Sequence, residues 1–166
     1  MGKLNFPVGR PIDLACLGRL AVDLYAQQFG SHLEDARSMA MYLGGSSANL
    51  AFGVARLGLR SAMVSRVGNE QMGHFLRESL EAEGCDVSHV SVDPARLTGA
   101  VVLGIKDKDT FPLIFMRENC ADMAIADEDV DTLWVSGAFE LGVACMAAAH
   151  SGRYAAVVAL GAVVRG

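Results

Sequence analysis

Short apolar runs of strand length alternate with helical stretches along the N-terminal half of the chain, and this alternation fixes the fold class before any other feature. Asp13 to Leu17 is such a run and ends at Gly18; Ser61 to Val67, rich in valine and small residues, is another and ends at Gly68. Between them, Ser46 or Ser47 is placed to cap a helix whose Leu50, Val54 and Leu57 share a face, with Gly58 where a left-handed C-terminal cap is expected. A second helix is expected from about Gln71 to Glu83, with Phe75, Leu76 and Leu80 inward and Gly84 as its stop, followed by a strand over Val87 to Val92. Strand, helix and strand in this order predict an α/β fold with a mainly parallel sheet. Leu20 to Met41 and Gly99 to Met116 are less regular, and the latter reads as two β-prone segments joined by the polar turn Lys106 to Asp109, enough for a small side sheet.

At 166 residues the chain has room for a single core of useful size. Its net charge of -5 and its scattered Lys and Arg argue against a nucleic-acid or anionic-membrane surface and favour a small-molecule ligand. The cysteines at 16, 85, 120 and 145 lie far apart and form no CxxC pair, which suggests neither a disulfide framework nor a structural metal and fits a reducing cytoplasm. The stretch Met1 to Arg10 has no apolar run long enough for a signal peptide or membrane anchor.

Chemistry concentrates around Gly44-Gly45-Ser46-Ser47-Ala48-Asn49-Leu50-Ala51. A glycine pair lets backbone approach a ligand without Cβ clashes, and an amide at a helix start can bond a polyol hydroxyl. Upstream stands Gly18-Arg19-Leu20-Ala21-Val22-Asp23, whose carboxylate is an acceptor suited to paired hydroxyl donors. Downstream stands Val67-Gly68-Asn69-Glu70-Gln71-Met72-Gly73, where Asn69 reads as a turn residue or helix cap. Together these segments resemble the substrate-binding half of ribokinase-type (PfkB family) sugar kinases. The second stretch looks like that family's G-x-x-x-x-D and the third is similar to its V-G-x-D-x-x-G. The resemblance implies a ribokinase-like fold with a small β lid, a sugar held by Asp23, Gly44, Gly45 and Asn49, and ATP with Mg2+ as phosphoryl donor. The side-sheet segments would form the lid, which in such kinases closes over the sugar and often mediates dimerisation. Closure shields the phosphoryl donor from water.

The run Phe111 to Ala124, F-P-L-I-F-M-R-E-N-C-A-D-M-A, is similar to the 5-dehydro-2-deoxygluconokinase branch, which serves inositol catabolism. That likeness implies a sugar-acid substrate. Arg117 is then placed to meet its carboxylate as a two-pronged donor, against the alternative of a surface ion pair with Glu118.

Near Asp131 to Trp134 the character changes. Val135 to Leu141 and Ser151 to Gly166 resemble lumazine synthase of riboflavin biosynthesis, which divides the chain into 1–132 and 133–166, the second part a strand-helix-strand segment on the same sheet. Neither likeness brings a full catalytic set. The kinase family's G-A-G-D anion hole and base are not found in the sequence, so a truncated, catalytically incomplete sugar-kinase domain is expected. A lumazine synthase fragment and a non-enzymatic sugar-binding or assembly module are the alternatives.

Overall fold

The computed structural model of the chain describes Gly9, residues 11–126, Ala147 and Ser151. Residues 13–125 form one compact unit, to which every element below belongs. The lumazine-like stretches lie outside the described residues, Ser151 apart.

Strands β1 (Leu14–Leu17), β4 (Ser61–Gly68) and β5 (Val90–Asp93) make a parallel sheet in the order β1-β4-β5. Strands β2 (Ala21–Ala26), β3 (Met39–Gly44), β6 (Gly99–Leu103) and β7 (Leu113–Met116) make a second sheet in the order β3-β2-β6-β7. There β2 and β6 run parallel, while the outer pairs are antiparallel. Helix α1 (Ser46–Arg56) precedes β4, and helix α2 (Gln71–Ala82) joins β4 to β5. The α/β class and the side sheet are as the sequence predicts, and both predicted glycine stops have positive φ, Gly58 at 82° and Gly84 at 88°.

The helices bury different kinds of surface. Leu76 and Leu80 of α2 are fully buried beside Met63, Val67 and Val90, and each such side chain contributes about 1.5–3 kcal/mol by leaving water. Helix α1 corrects the sequence reading. Its Leu50 and the Leu57 that caps its end are 56% and 82% exposed, and its buried face is Ala48 and Ala51, with Phe52 and Ala55 packed beside them. Alanines let the helix axis come close to β1 and β4, a fit that a leucine face would prevent.

Neither predicted cap is the one used. Gly45, with φ of 101°, occupies the N-cap of α1, and Ser47 Oγ donates instead to the Leu17 carbonyl at 2.9 Å. At α2 the cap is Glu70, not Asn69: its carboxylate accepts from Met72 N at 2.8 Å and from Thr98 N at 3.1 Å. Thr98 Oγ1 in turn accepts from Gly68 N at 3.0 Å. A Cβ on Gly73 would stand 2.2 Å from the Gly68 carbonyl oxygen, so the glycines of this motif set the approach of α2 to the end of β4. Burial pushes the Glu70 carboxyl up, but hydrogen bonds from Thr98, Met72 and Gly73 together hold it below its ordinary value of 4.5. Such a depressed group stabilises the fold above pH 4.5 and loses that contribution as pH falls through the folded value. Glu70→Ala is therefore expected to cost about 0.5–2 kcal/mol at neutral pH and to flatten the acid limb of stability, read by urea unfolding at several pH values.

Candidate functional site

The site forms where β1 ends, β2 begins and α1 starts. Ser65 Oγ donates to the Gly18 carbonyl at 2.7 Å, and Ala48 N, an amide of the first turn of α1, donates to the Arg19 carbonyl at 3.3 Å. Leu20, fully buried, anchors the crossing into β2. Alternation along the strand then sends Val22 into the core and Asp23 to the opposite face.

Two consecutive glycines back the two charged residues. A Cβ on Gly44 would lie 2.2 Å from Asp23 Oδ1, and one on Gly45 would lie 2.4 Å from the Arg19 carbonyl oxygen and 3.3 Å from Arg19 Cγ. Gly44 is thus required by close packing against the Asp23 side chain, and Gly45 by the Arg19 backbone carbonyl as well as by its own φ of 101°. Burial pushes the Asp23 carboxyl above its ordinary value of 3.8, and the positive charge of Arg19 pulls part of that shift back. Asp23 stands in register with Tyr42 on β3 and Val101 on β6, and Val101 with Phe115 on β7, so these four share a face of the sheet. Tyr42 meets Tyr25 edge to face at 5.4 Å, and the Arg19 guanidinium lies 6.0 Å from the centre of the Phe115 ring.

Asp23, Gly44 and Gly45 are therefore brought together, and Arg19, which the sequence reading passed over, joins them. Asn49 sits one turn into α1, exposed, with no side-chain hydrogen bond among the described residues. Arg117 follows β7 and packs beside Gly99, where a Cβ would meet its Cγ at 3.3 Å. Gly44, Ala21 and Gly99 are in register across β3, β2 and β6, which puts Arg117 three strand spacings from Gly44, roughly 14 Å of backbone. Its guanidinium is held by Asp122, a carboxylate with no exposed surface, and not by Glu118. Arg117 Nε and Asp122 Oδ1 are buried without a partner.

Chemically, the corner offers a carboxylate for hydroxyl donors, a guanidinium beside it and an exposed amide one helical turn away. Among the described residues no group of three or more His, Cys, Asp or Glu side chains is disposed to hold a metal ion, and no helix is long and apolar enough to cross a membrane.

Comparison with known proteins agrees with this geometry. The pfkB family carbohydrate kinase model matches residues 12–141. A 5-dehydro-2-deoxygluconokinase of Geobacillus kaustophilus is 36% identical over 132 residues, which are 79% of this chain and 39% of that protein. One from Bacillus anthracis is 33% identical over 152 residues, 91% of this chain and 46% of its own length. The chain thus spans less than half of the curated relatives it matches. Among solved structures, a PfkB protein from a Polaromonas species superposes with a TM-score of 0.66 at 33% identity, covering 72% of this chain and 40% of that one. A putative ribokinase II from E. coli, in complex with ATP and Mg2+, gives 0.65 at 26% identity, covering 72% and 38%. The family match runs to Leu141, past the boundary drawn at 132, and so includes Val135 to Leu141; a resemblance to lumazine synthase is not shown by these comparisons. With the sugar-kinase motifs in place around one corner and the family match covering most of its length, the chain belongs to the pfkB family of carbohydrate kinases.

Proposed function

We propose that this chain supplies the sugar-binding corner of a kinase that phosphorylates 5-dehydro-2-deoxygluconate with ATP and Mg2+ in inositol catabolism. The observation that carries the reading is the Asp23 carboxylate, pushed up by burial and packed directly on Gly44 at the end of β3. Gly44 and Gly45 let Asp23 and Arg19 pack directly against the backbone, and Asn49 is the amide that would reach a further hydroxyl. Arg117 contributes to the ligand side of the lid while tied to Asp122. ATP and Mg2+ supply and activate the transferred phosphoryl group; the described residues are assigned to the sugar and offer the metal no ligand set. The side sheet acts as lid, and its outer strand β7, whose four residues are all at least half exposed, supports pairing of two copies. A cytoplasmic setting fits an ATP-dependent enzyme.

The test is calorimetric titration of the chain with 5-dehydro-2-deoxygluconate. Asp23→Ala is expected to weaken binding about 100-fold or more, since hydrogen bonds to a charged acceptor contribute about 1.5–3 kcal/mol each. The ionised carboxylate is the stronger acceptor for a pair of hydroxyls, so affinity should fall on acidification with a midpoint above the ordinary aspartate value of 3.8. Heat that survives in Asp23→Ala unchanged would refute the reading.

A further inference from the structure

Two arginines beside the second sheet compete for the role of anion receptor, and the structure treats them differently. Arg117 already has a counter-charge, because the fully buried Asp122 carboxylate occupies its guanidinium. Arg19 has none. It makes no ion pair or hydrogen bond through its side chain among the described residues, and its Nε is buried without a partner. Its one aromatic contact, Phe115 at 6.0 Å, lies at the outer limit of a cation–π interaction and leaves the in-plane N–H donors unused.

Its position is held from three sides. The backbone carbonyl is fixed by Ala48 N of α1, the side-chain stem runs past Gly45, and the head lies toward Phe115 on the face that carries Asp23. Arg19 is near enough to lower the proton affinity of Asp23 but forms no ion pair with it. An acidic acceptor and a cationic donor set apart in this way suit a ligand with hydroxyls at one point and a negative charge at another. A guanidinium fork matches a carboxylate in two parallel hydrogen bonds.

We propose that Arg19 receives the carboxylate of the bound sugar acid while Asp23 receives its hydroxyls, so that Arg19 sets the preference for an acid over a neutral sugar. The assignment rests on the sugar-acid reading above and names the residue that makes it selective. It moves the carboxylate contact away from Arg117, whose charge is spent on Asp122.

The experiment titrates the full chain with 5-dehydro-2-deoxygluconate and with the analogue in which CH2OH replaces the carboxylate. The unaltered chain should bind the acid about 10- to 100-fold tighter than the alcohol. Arg19→Met should bind the two alike, with a cooperative urea transition showing that it is folded. Arg19→Lys should keep an intermediate preference, because the charge stays and the fork is lost. An Arg19→Met chain that retains the acid preference, or that loses affinity for acid and alcohol equally, overturns the assignment. If the unaltered chain binds acid and alcohol equally and Asp23→Ala abolishes both, the sugar site stands and the role of Arg19 falls. Heat from neither ligand overturns both.

Discussion

Gly44→Ala should weaken sugar binding about 100-fold or more while leaving a folded protein. The added methyl would lie 2.2 Å from Asp23 Oδ1 and 2.4 Å from its Cγ, so the carboxylate must leave its place. Gly44 is absent from the positive-φ glycines, so the backbone itself accepts alanine and the whole penalty is steric. Overpacking of this kind costs about 1–3 kcal/mol. Because the clash is with a side chain, the cost should largely vanish in an Asp23→Ala background, a coupling that a double-mutant cycle of urea unfolding would measure. Sugar affinity, by contrast, should drop about 100-fold or more in either single variant and not return in the double. A Gly44→Ala chain that binds the sugar acid normally would show that Asp23 does not hold the ligand from where it stands.

Arg117→Met should be among the most destabilising single changes on the lid side of the unit. It leaves the Asp122 carboxylate, which has no exposed surface, without its counter-ion. Stripping one partner from a buried pair costs about 3–5 kcal/mol, and the lower end applies here because Arg117 itself is 27% exposed and water can reach part of the pair. Against a typical domain stability of about 5–15 kcal/mol this is a large share. Adding Asp122→Asn should restore most of it, since a neutral amide tolerates burial better than an uncompensated charge. Urea midpoints for the two single variants and the double decide the matter; a single variant as stable as the parent would mean that the pair contributes nothing.

Much of this architecture was written in the pattern of the chain. The strands β1 and β4, both helices, their glycine stops and the hairpin of β6 and β7 follow from apolar periodicity and turn chemistry. The faces and caps followed less well, for physical reasons. In α1 the sequence offers leucines as the natural core face, but close approach to two strands selects Ala48 and Ala51, and periodicity alone does not weigh proximity against hydrophobicity. At α2 Asn69 reads as a turn residue or a cap; it lies in a bend, and the cap is Glu70, to which Thr98, distant in sequence, gives a second donor.

The candidate site was legible to the extent that its backbone is local. Gly44 and Gly45 flag their own close approaches, and Asp23 sits one strand over in register with Tyr42. Arg19 carries no such flag in the sequence: it precedes β2, and Leu20, Ala21 and Val22 are all fully buried, so strand alternation does not place it beside the acid. The Arg117 pairing with Asp122 was invisible because it depends on how the chain turns after β7, where Asn119 takes a positive φ of 52°. No short-range rule picks Asp122 over Glu118.

Gly68 and Gly73 face one another through backbone, since the obstacle to a methyl at 73 is a carbonyl oxygen. No replacement of a neighbouring side chain removes a carbonyl. In a randomised library, then, alanine at 44 becomes admissible once 23 is shortened, so the order of mutational steps matters there, whereas position 73 should return glycine from every genetic background.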